Sequence, residues 1–426
     1  MPGIIEFPTI VQQAALEFGA VFANEPERRH FAEYLTGLMV AEKKTVSGIS
    51  AEFAETTDQS CLNRWITQVA WEEKELNLQR LAWLQQDEAT RYAPSGVIPI
   101  DNTLVDHAGK LIEDVGYFWD HAEERHKIAH DYLIANYVCP SGKHYALEFR
   151  RFRKREACEA KRAELDARPG GFERASENER RLASFKNHTV LCGELVDWVV
   201  EQKIPGTFTF DSYFTNAPVC NHIHWHERAY VGDLKFNRKV WFRNVEMRAD
   251  EMAAEIPVQA RKKVTIGDRT QWYFTKTIWQ PEVSHPVRVA ILWPYWNSTE
   301  PTKILTTNQP LWEITRILRG YGQRWTGTET LHRDGKQHLG LGDCQLRNGV
   351  GQTRHTYLVL FAHSLLMAQL RQGRVSAWAN EMLTTIGEAC RAAEREALGK
   401  MISWAIERAT LDGWEPARIK AHLNLV

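Results

Sequence analysis

Between about Pro8 and Leu84 apolar residues recur at intervals of three and four, as in Phe31, Tyr34, Leu35, Leu38 and Met39. That spacing lines one face of an α-helix. Trp65 and Val69 carry the pattern toward a charged helix rich in Glu and Lys. "KTVSGISAEF" and "TTDQSCLNRWI" read as helix starts, with Ser47 and either Thr57 or Asp58 as N-caps. "YAPSG" (Tyr92–Gly96) then breaks the helical period, and "VIPIDNTLVDH" is a short apolar strand running into acids.

"DYLIANYVCPSGKHYALEFRRF" reads as two strands joined by a Pro-Ser-Gly turn, a hairpin. From about Lys154 to Lys186 the chain is a charged helical tract broken at Pro169–Gly171, and "NHTVLCGELVDWVVEQKI" is an amphipathic helix feeding the strand "TFTFD". Past Asp211, β-branched and aromatic runs bounded by Gly, Asn, Asp and Pro predict a mostly β stretch of about a hundred residues. Helix returns at "QPLWEITRILRGYGQRW" and dominates to the end, and no internal repeat is evident.

A chain of 426 residues predicts two or three domains. No run of eighteen apolar residues appears and the first thirty residues carry Glu6, Glu17 and Glu25, so the expectation is a cytoplasmic protein without a membrane span. Seven cysteines without a C-x-x-C pair read as reduced thiols. The net charge of −1 is uninformative by itself, because local clusters decide what a surface attracts. "RRFRKRE", with Arg150, Arg151, Arg153 and Lys154, is one candidate for phosphate contacts, as are "ERRLASFK", "RKK" (Arg261–Lys263) and "RILRGYGQR". Each reads equally as a solvated helix face, and the N-terminal helices suit a plain scaffold as well as a DNA-binding head.

Three acids stand where predicted elements end: Asp101 after a first strand, Asp211 after a later one, and Glu329 in a helix beyond the β stretch. Acids at the carboxyl ends of neighbouring strands can converge with one from a helix. Three carboxylates in one cleft repel unless a divalent cation neutralises them, and oxygen-only ligation suits Mg²⁺ or Mn²⁺. A pair of such ions serves in-line displacement at phosphorus. Around Glu329, in "YGQRWTGTETLHRDGKQHLGLGD", stand Tyr321, Arg324, Arg333 and Lys336, cations and an aromatic suited to neighbouring phosphates.

These pieces resemble the DDE-class insertion-sequence transposases, in the branch whose ribonuclease H-like core is interrupted by a β-strand insertion. The resemblance covers roughly Val97 to Leu370 and rests on "IPIDNTLVDHAGK", on "TFTFDSYFTN" with "AYVGDLKFNRK", and on the segment around Glu329. It implies an α/β fold divided into a helical DNA-binding region (1–92), a first part of the core (93–215), a β-rich insertion (216–308), a second part of the core (309–370) and a helical tail (371–426). It also implies that Asp101, Asp211 and Glu329 hold two Mg²⁺ ions, that Tyr321, Arg324 and Lys336 hold phosphates of the element's end, and that a homodimer acts on double-stranded DNA by cleavage and 3′-hydroxyl strand transfer. The branch carries a Tyr-Arg-Glu-Lys signature with gaps of two, three and six residues; here the gaps are two, four and six, one residue too many between Arg324 and Glu329. The rival readings are a nuclease of the same fold without strand transfer and a non-catalytic DNA-binding descendant.

Asp106 competes with Asp101, and Asp334, read as a helix-surface residue, competes with Glu329. Trp293 and Trp296 in "ILWPYW" are candidates to stack an extruded base, against the alternative of a β-core tryptophan. In "CNHIHWHE" the residues His222, His224 and His226 alternate and would share one face of a strand, a zinc-like pattern lacking a fourth position, although the resemblance puts a helix there. "GLGDCQLRNGVGQ" lacks the Lys-Ser or Lys-Thr of a nucleotide loop and reads as a turn into a helix.

Overall fold

Five helices open the chain in the computed structural model, which describes residues 3–425 apart from 56–57, 121–122 and 374: α1 (Thr9–Glu17), α2 (Glu25–Val40), α3 (Val46–Ser50), α4 (Gln59–Thr67) and α5 (Glu73–Leu84). Asp58 caps α4 by accepting from the Ser60 N–H, as the sequence predicts, while Thr57 lies outside the described residues. The cap of α3 is Thr45 rather than Ser47: the extended backbone at Thr45 lets its side chain accept from Gly48 N–H, and Ser47 falls inside the helix.

Next come β1 (Val97–Asp106), β2 (Gly116–Asp120), β3 (Arg125–Val138), β4 (His144–Phe152), α6 (Arg155–Asp166), α7 (Glu177–Ala183), α8 (His188–Glu201) and β5 (Thr207–Phe210). The hairpin expected from "CPSGK" is the β3–β4 connection, and β2 is a strand the pattern did not announce. After β5 follow α9 (Ala217–Trp225), β6 (Tyr230–Asp233), β7 (Lys239–Phe242), β8 (Val245–Arg248), α10 (Ala249–Ala254), β9 (Lys262–Ile266), β10 (Arg269–Ile278), β11 (Val287–Trp293) and β12 (Lys303–Thr307). The chain closes with α11 (Ile314–Trp325), a π-helical turn (Thr326–Thr330), α12 (Leu331–His338), α13 (Gly349–Gln369), α14 (Ile386–Leu411) and α15 (Pro416–His422). The class is mixed α/β.

The chain divides into two compact units. One consists of Met1–Arg91, Leu104–Asp131 and Leu331–Val426. Its core is helical: α13 packs on α2, α4 and α5, and α14 packs on α2 and α13, so the N-terminal helices do not stand alone. The apolar run of α13 is buried nearly all round, which is why it shows no amphipathic stripe. Inside this core Arg354 donates to the carbonyls of Trp65, Ile66 and Trp71, closing the ends of the α4 region with a buried charge.

The other unit is Tyr92–Thr103 with Tyr132–Thr330. Its strands run in the order β4-β3-β1-β5-β6-β12-β11-β10-β9. β1, β5 and β6 are parallel neighbours, and from β6 outward the pairing is antiparallel. Thr207–Phe210 of β5 is buried at every position, as a central strand covered on both faces must be. β11 is used on both faces too. Val287, Val289, Ile291 and Trp293 face a cluster with Met252 and Phe242, while Ala290 and Leu292 face Ile314 and Ile317 of α11. The strands after β6 therefore widen one sheet, and α11 lies across their face.

Candidate active site

β1 and β5 are locked in parallel register, with Val97 beside Thr207 and Pro99 beside Thr209. Two residues on, the same register brings Asp101 level with Asp211, the first residue past β5. β5 and β6 pair with Phe210 beside Gly232, so Asp233 falls level with Asp211 on its other side. Because a parallel ladder keeps aligned side chains on one face, three carboxylates form a row across adjacent strands. Asp211 is fixed locally: its Oδ1 accepts from the N–H groups of Tyr213 at 2.9 Å and Phe214 at 3.2 Å, an Asx-type turn that ends the strand.

Asp101 lies inside β1, which continues to Asp106 rather than stopping at it, and is half-buried; its carboxyl is pushed up to about 7. Burial is the main cause; the Arg324 guanidinium opposes it, and the charges of Asp211 and Glu329 add to it. Arg324, on α11, donates to Asp101 Oδ2 at 2.5 Å, and both side chains are 13% exposed. Its buried Nε has no hydrogen-bond partner among the described residues. Tyr321, one turn earlier, donates to Asp233 Oδ2 at 3.3 Å, and Lys303 of β12 donates to the same oxygen at 2.7 Å and to the Tyr321 hydroxyl at 3.3 Å. Burial and the Asp233 charge raise the Tyr321 hydroxyl above its ordinary value.

Glu329 lies in the π-helical turn, exposed, and close enough for its charge to act on Asp101. A π turn closes i→i+5 rather than i→i+4 bonds and so holds one more residue than an α turn. Of the four residues between Arg324 and Glu329, three lie in this turn. Gly327 is what makes the turn fit: a Cβ there would meet Pro99 Cγ and Val138 Cγ2 at 2.5 Å, so the turn lies directly on β1 and β3.

The remaining sequence candidates lie on other elements. Arg333 and Lys336 are exposed residues of α12 and belong to the first unit. Arg150 lies near the end of β4, paired with Glu194 at 3.4 Å, and Arg151, Arg153 and Lys154 follow it, half-buried. Arg261 is not a surface cation: it is buried, stacks 4.0 Å over Trp293 and donates to the carbonyls of Trp296 and Ser298. Trp293 is fully buried, a β-core tryptophan, whereas Trp296 is 47% exposed. Asp106 is an ion-pair partner of Lys127 at 3.0 Å. Asp334 is buried rather than on the helix surface, its carboxyl raised by burial despite Arg333.

Asp233 and Lys303 went unassigned in the sequence. Asp233 had the signal that marked the others, an acid at the end of an apolar strand, but the lysine that holds it comes 70 residues later. Among the described residues, the only group of three ligand-type side chains gathered within 4.8 Å is a different one, Asp197 with His222 and His226; Asp101, Asp211 and Glu329 are not drawn that close. The donor set of the row still fits a hard divalent cation: all its atoms are oxygens, and a cation would favour the Asp101 carboxylate against the burial, and the lesser repulsion from Asp211 and Glu329, that raise it.

A family model described as DDE superfamily endonuclease matches residues 17–270, more than half of the chain. The match includes Asp101 and Asp211 and ends before Glu329. No curated protein matches the chain.

Proposed function

We propose, from the premise that this chain belongs to the DDE superfamily of endonucleases, that it is a DNA transposase that cuts the ends of a mobile element and joins the freed 3′-hydroxyl to target DNA. The observation that carries this reading is the pair Asp101 and Asp211 side by side on parallel strands, with Glu329 near enough to act on Asp101. The strand order β4-β3-β1-β5-β6 supports a ribonuclease H-like core, extended by the strands from β7 to β12 as its insertion. In this reading 1–92 and 371–426 serve DNA contact and assembly, and a homodimer holds two ends.

Asp101, Asp211 and Glu329 would hold two Mg²⁺ or Mn²⁺ ions. When bound, these supply Lewis-acid polarisation of the phosphodiester and offset the charge that builds on it. The protein's own groups do the rest. Asp101 must give up its proton to serve, and Arg324 favours that by stabilising the carboxylate. With Asp101 serving as an ion ligand, the Arg324 guanidinium, whose Nε is unpartnered among the described residues, would be available to a neighbouring phosphate. Tyr321 is held by Asp233 and Lys303 so that its ring and hydroxyl border the row.

The test is Mg²⁺-dependent nicking of a duplex carrying the element's own end, followed by strand transfer from pre-cleaved ends, comparing the wild type with Glu329→Gln. Cleavage and joining that vanish in the variant while DNA binding persists support the proposal. Cleavage without joining reduces it to a nuclease, and binding without cleavage in the wild type reduces it to a DNA-binding protein.

A further inference from the structure

Away from the acid row, α8 and α9 bring together three ligand-type side chains that the proposed chemistry does not use. His222 on α9 and His226, the residue that caps its C-terminus, are one turn apart and so share a face. Each places Nε2 2.7 Å from the same atom, Oδ1 of Asp197 on α8. The two imidazole rings stand 4.9 Å apart and nearly perpendicular, converging on the carboxylate rather than stacking. His224, between them in sequence, faces elsewhere, its ring 3.9 Å from that of His285. The alternation that would align three histidines on a strand thus becomes, on a helix, a pair with a carboxylate opposite.

We propose that Asp197, His222 and His226 form a Zn²⁺ site. Two imidazole nitrogens and one carboxylate oxygen are a three-ligand set for this ion, with water completing a tetrahedron. Zinc ligands at about 2.0–2.1 Å stand roughly 3.3 Å from one another, so each imidazole nitrogen needs to part from Asp197 Oδ1 by only about half an ångström. The side chains are between 16% and 42% exposed, which leaves room for that movement and a route for the ion. The set is wrong for Mg²⁺, which prefers oxygen, so the two sites divide their ions by ligand chemistry. α8 leads into β5, and α9 follows the turn begun by Asp211. An ion between the helices therefore braces the segment that carries Asp211.

The experiment is a titration of the full chain, without DNA and in millimolar Mg²⁺, with Zn²⁺ against a chromophoric chelator, alongside Co²⁺ absorption and thermal melting. The expected result is one Zn²⁺ per chain at micromolar affinity or tighter, a tetrahedral Co²⁺ spectrum, and a melting temperature raised by a few degrees. His222→Gln and His226→Gln should each weaken binding at least tenfold and lose the thermal shift, while His224→Gln keeps both. If a histidine variant fails to fold, Asp197→Asn, nearly isosteric, takes its place with the same expectation. Absence of micromolar binding in the wild type, or binding retained in both His222→Gln and His226→Gln, overturns the site and leaves an Asp–His hydrogen-bonded pair. Neither result touches the nicking assay.

Discussion

Asp101 and Asp211 are placed by strands; Glu329 is placed by a helix. Their positions therefore depend on different things. The two aspartates are level because a parallel hydrogen-bond ladder fixes Pro99 beside Thr209, and register in a sheet buried on both faces cannot slip without exposing β5. Glu329 depends on helical phase, which one residue more or less turns by about 100°. Here that phase passes through a π turn resting on β1 at Gly327. An acid on a sheet is insensitive to length changes elsewhere, whereas an acid on a helix needs a local device to tolerate them.

Five variants bear on this contrast. The largest effect is expected for Asp211→Asn, which removes a carboxylate from the ladder without altering it: nicking should fall about 10³-fold, corresponding to roughly 4 kcal/mol of lost transition-state stabilisation, with DNA affinity unchanged in a gel-shift assay. Next, deleting Gln323 from α11 should turn Glu329 away and cost about 10²-fold in nicking. Deleting Thr326, which converts the π turn to an α turn, should cost less than about tenfold. Equal losses from both deletions would mean that the π turn does not preserve phase.

Gly327→Ala tests the close approach itself. Overpacking against Pro99 and Val138 should lower unfolding free energy by about 1–3 kcal/mol in a denaturant titration. The smallest effect concerns Asp101. Its carboxyl is raised to about 7 in the fold against an ordinary value near 4, so between those values the folded state binds more protons than the unfolded one. Stability should therefore fall as pH rises from about 4 to about 7, opposite to the usual carboxylate. The Asp101→Asn variant should lack this slope and melt a few degrees higher at neutral pH. By the same linkage, half-maximal nicking should need more Mg²⁺ as pH drops below about 7.

Much of the secondary structure was legible because its patterns are local. The break at Pro169–Gly171, the amphipathic run of α8 and the Asp58 cap each follow from a few neighbouring residues. Asp211 does follow the end of β5, but Asp101 was expected at a strand end and lies inside β1, because the polar residues after it continue the strand to Asp106. Asp334 was misread because "HRDGK" looks polar, and only packing of the helical core makes that position buried. Arg261 was misread for the same reason: a run of cations does not announce that its first member lies over Trp293.

By itself the sequence determined most of the element types and the acid that ends β5, Asp211, since period, turn chemistry and residue type act over a few positions. Tertiary structure alone decided that Asp233 joins the row beside Asp211, that Lys303 and Tyr321 hold it, and that Asp197 meets His222 and His226. Those groups lie 18 to 88 residues apart, and they meet through strand register and helix packing, long-range choices that no short stretch of the chain encodes.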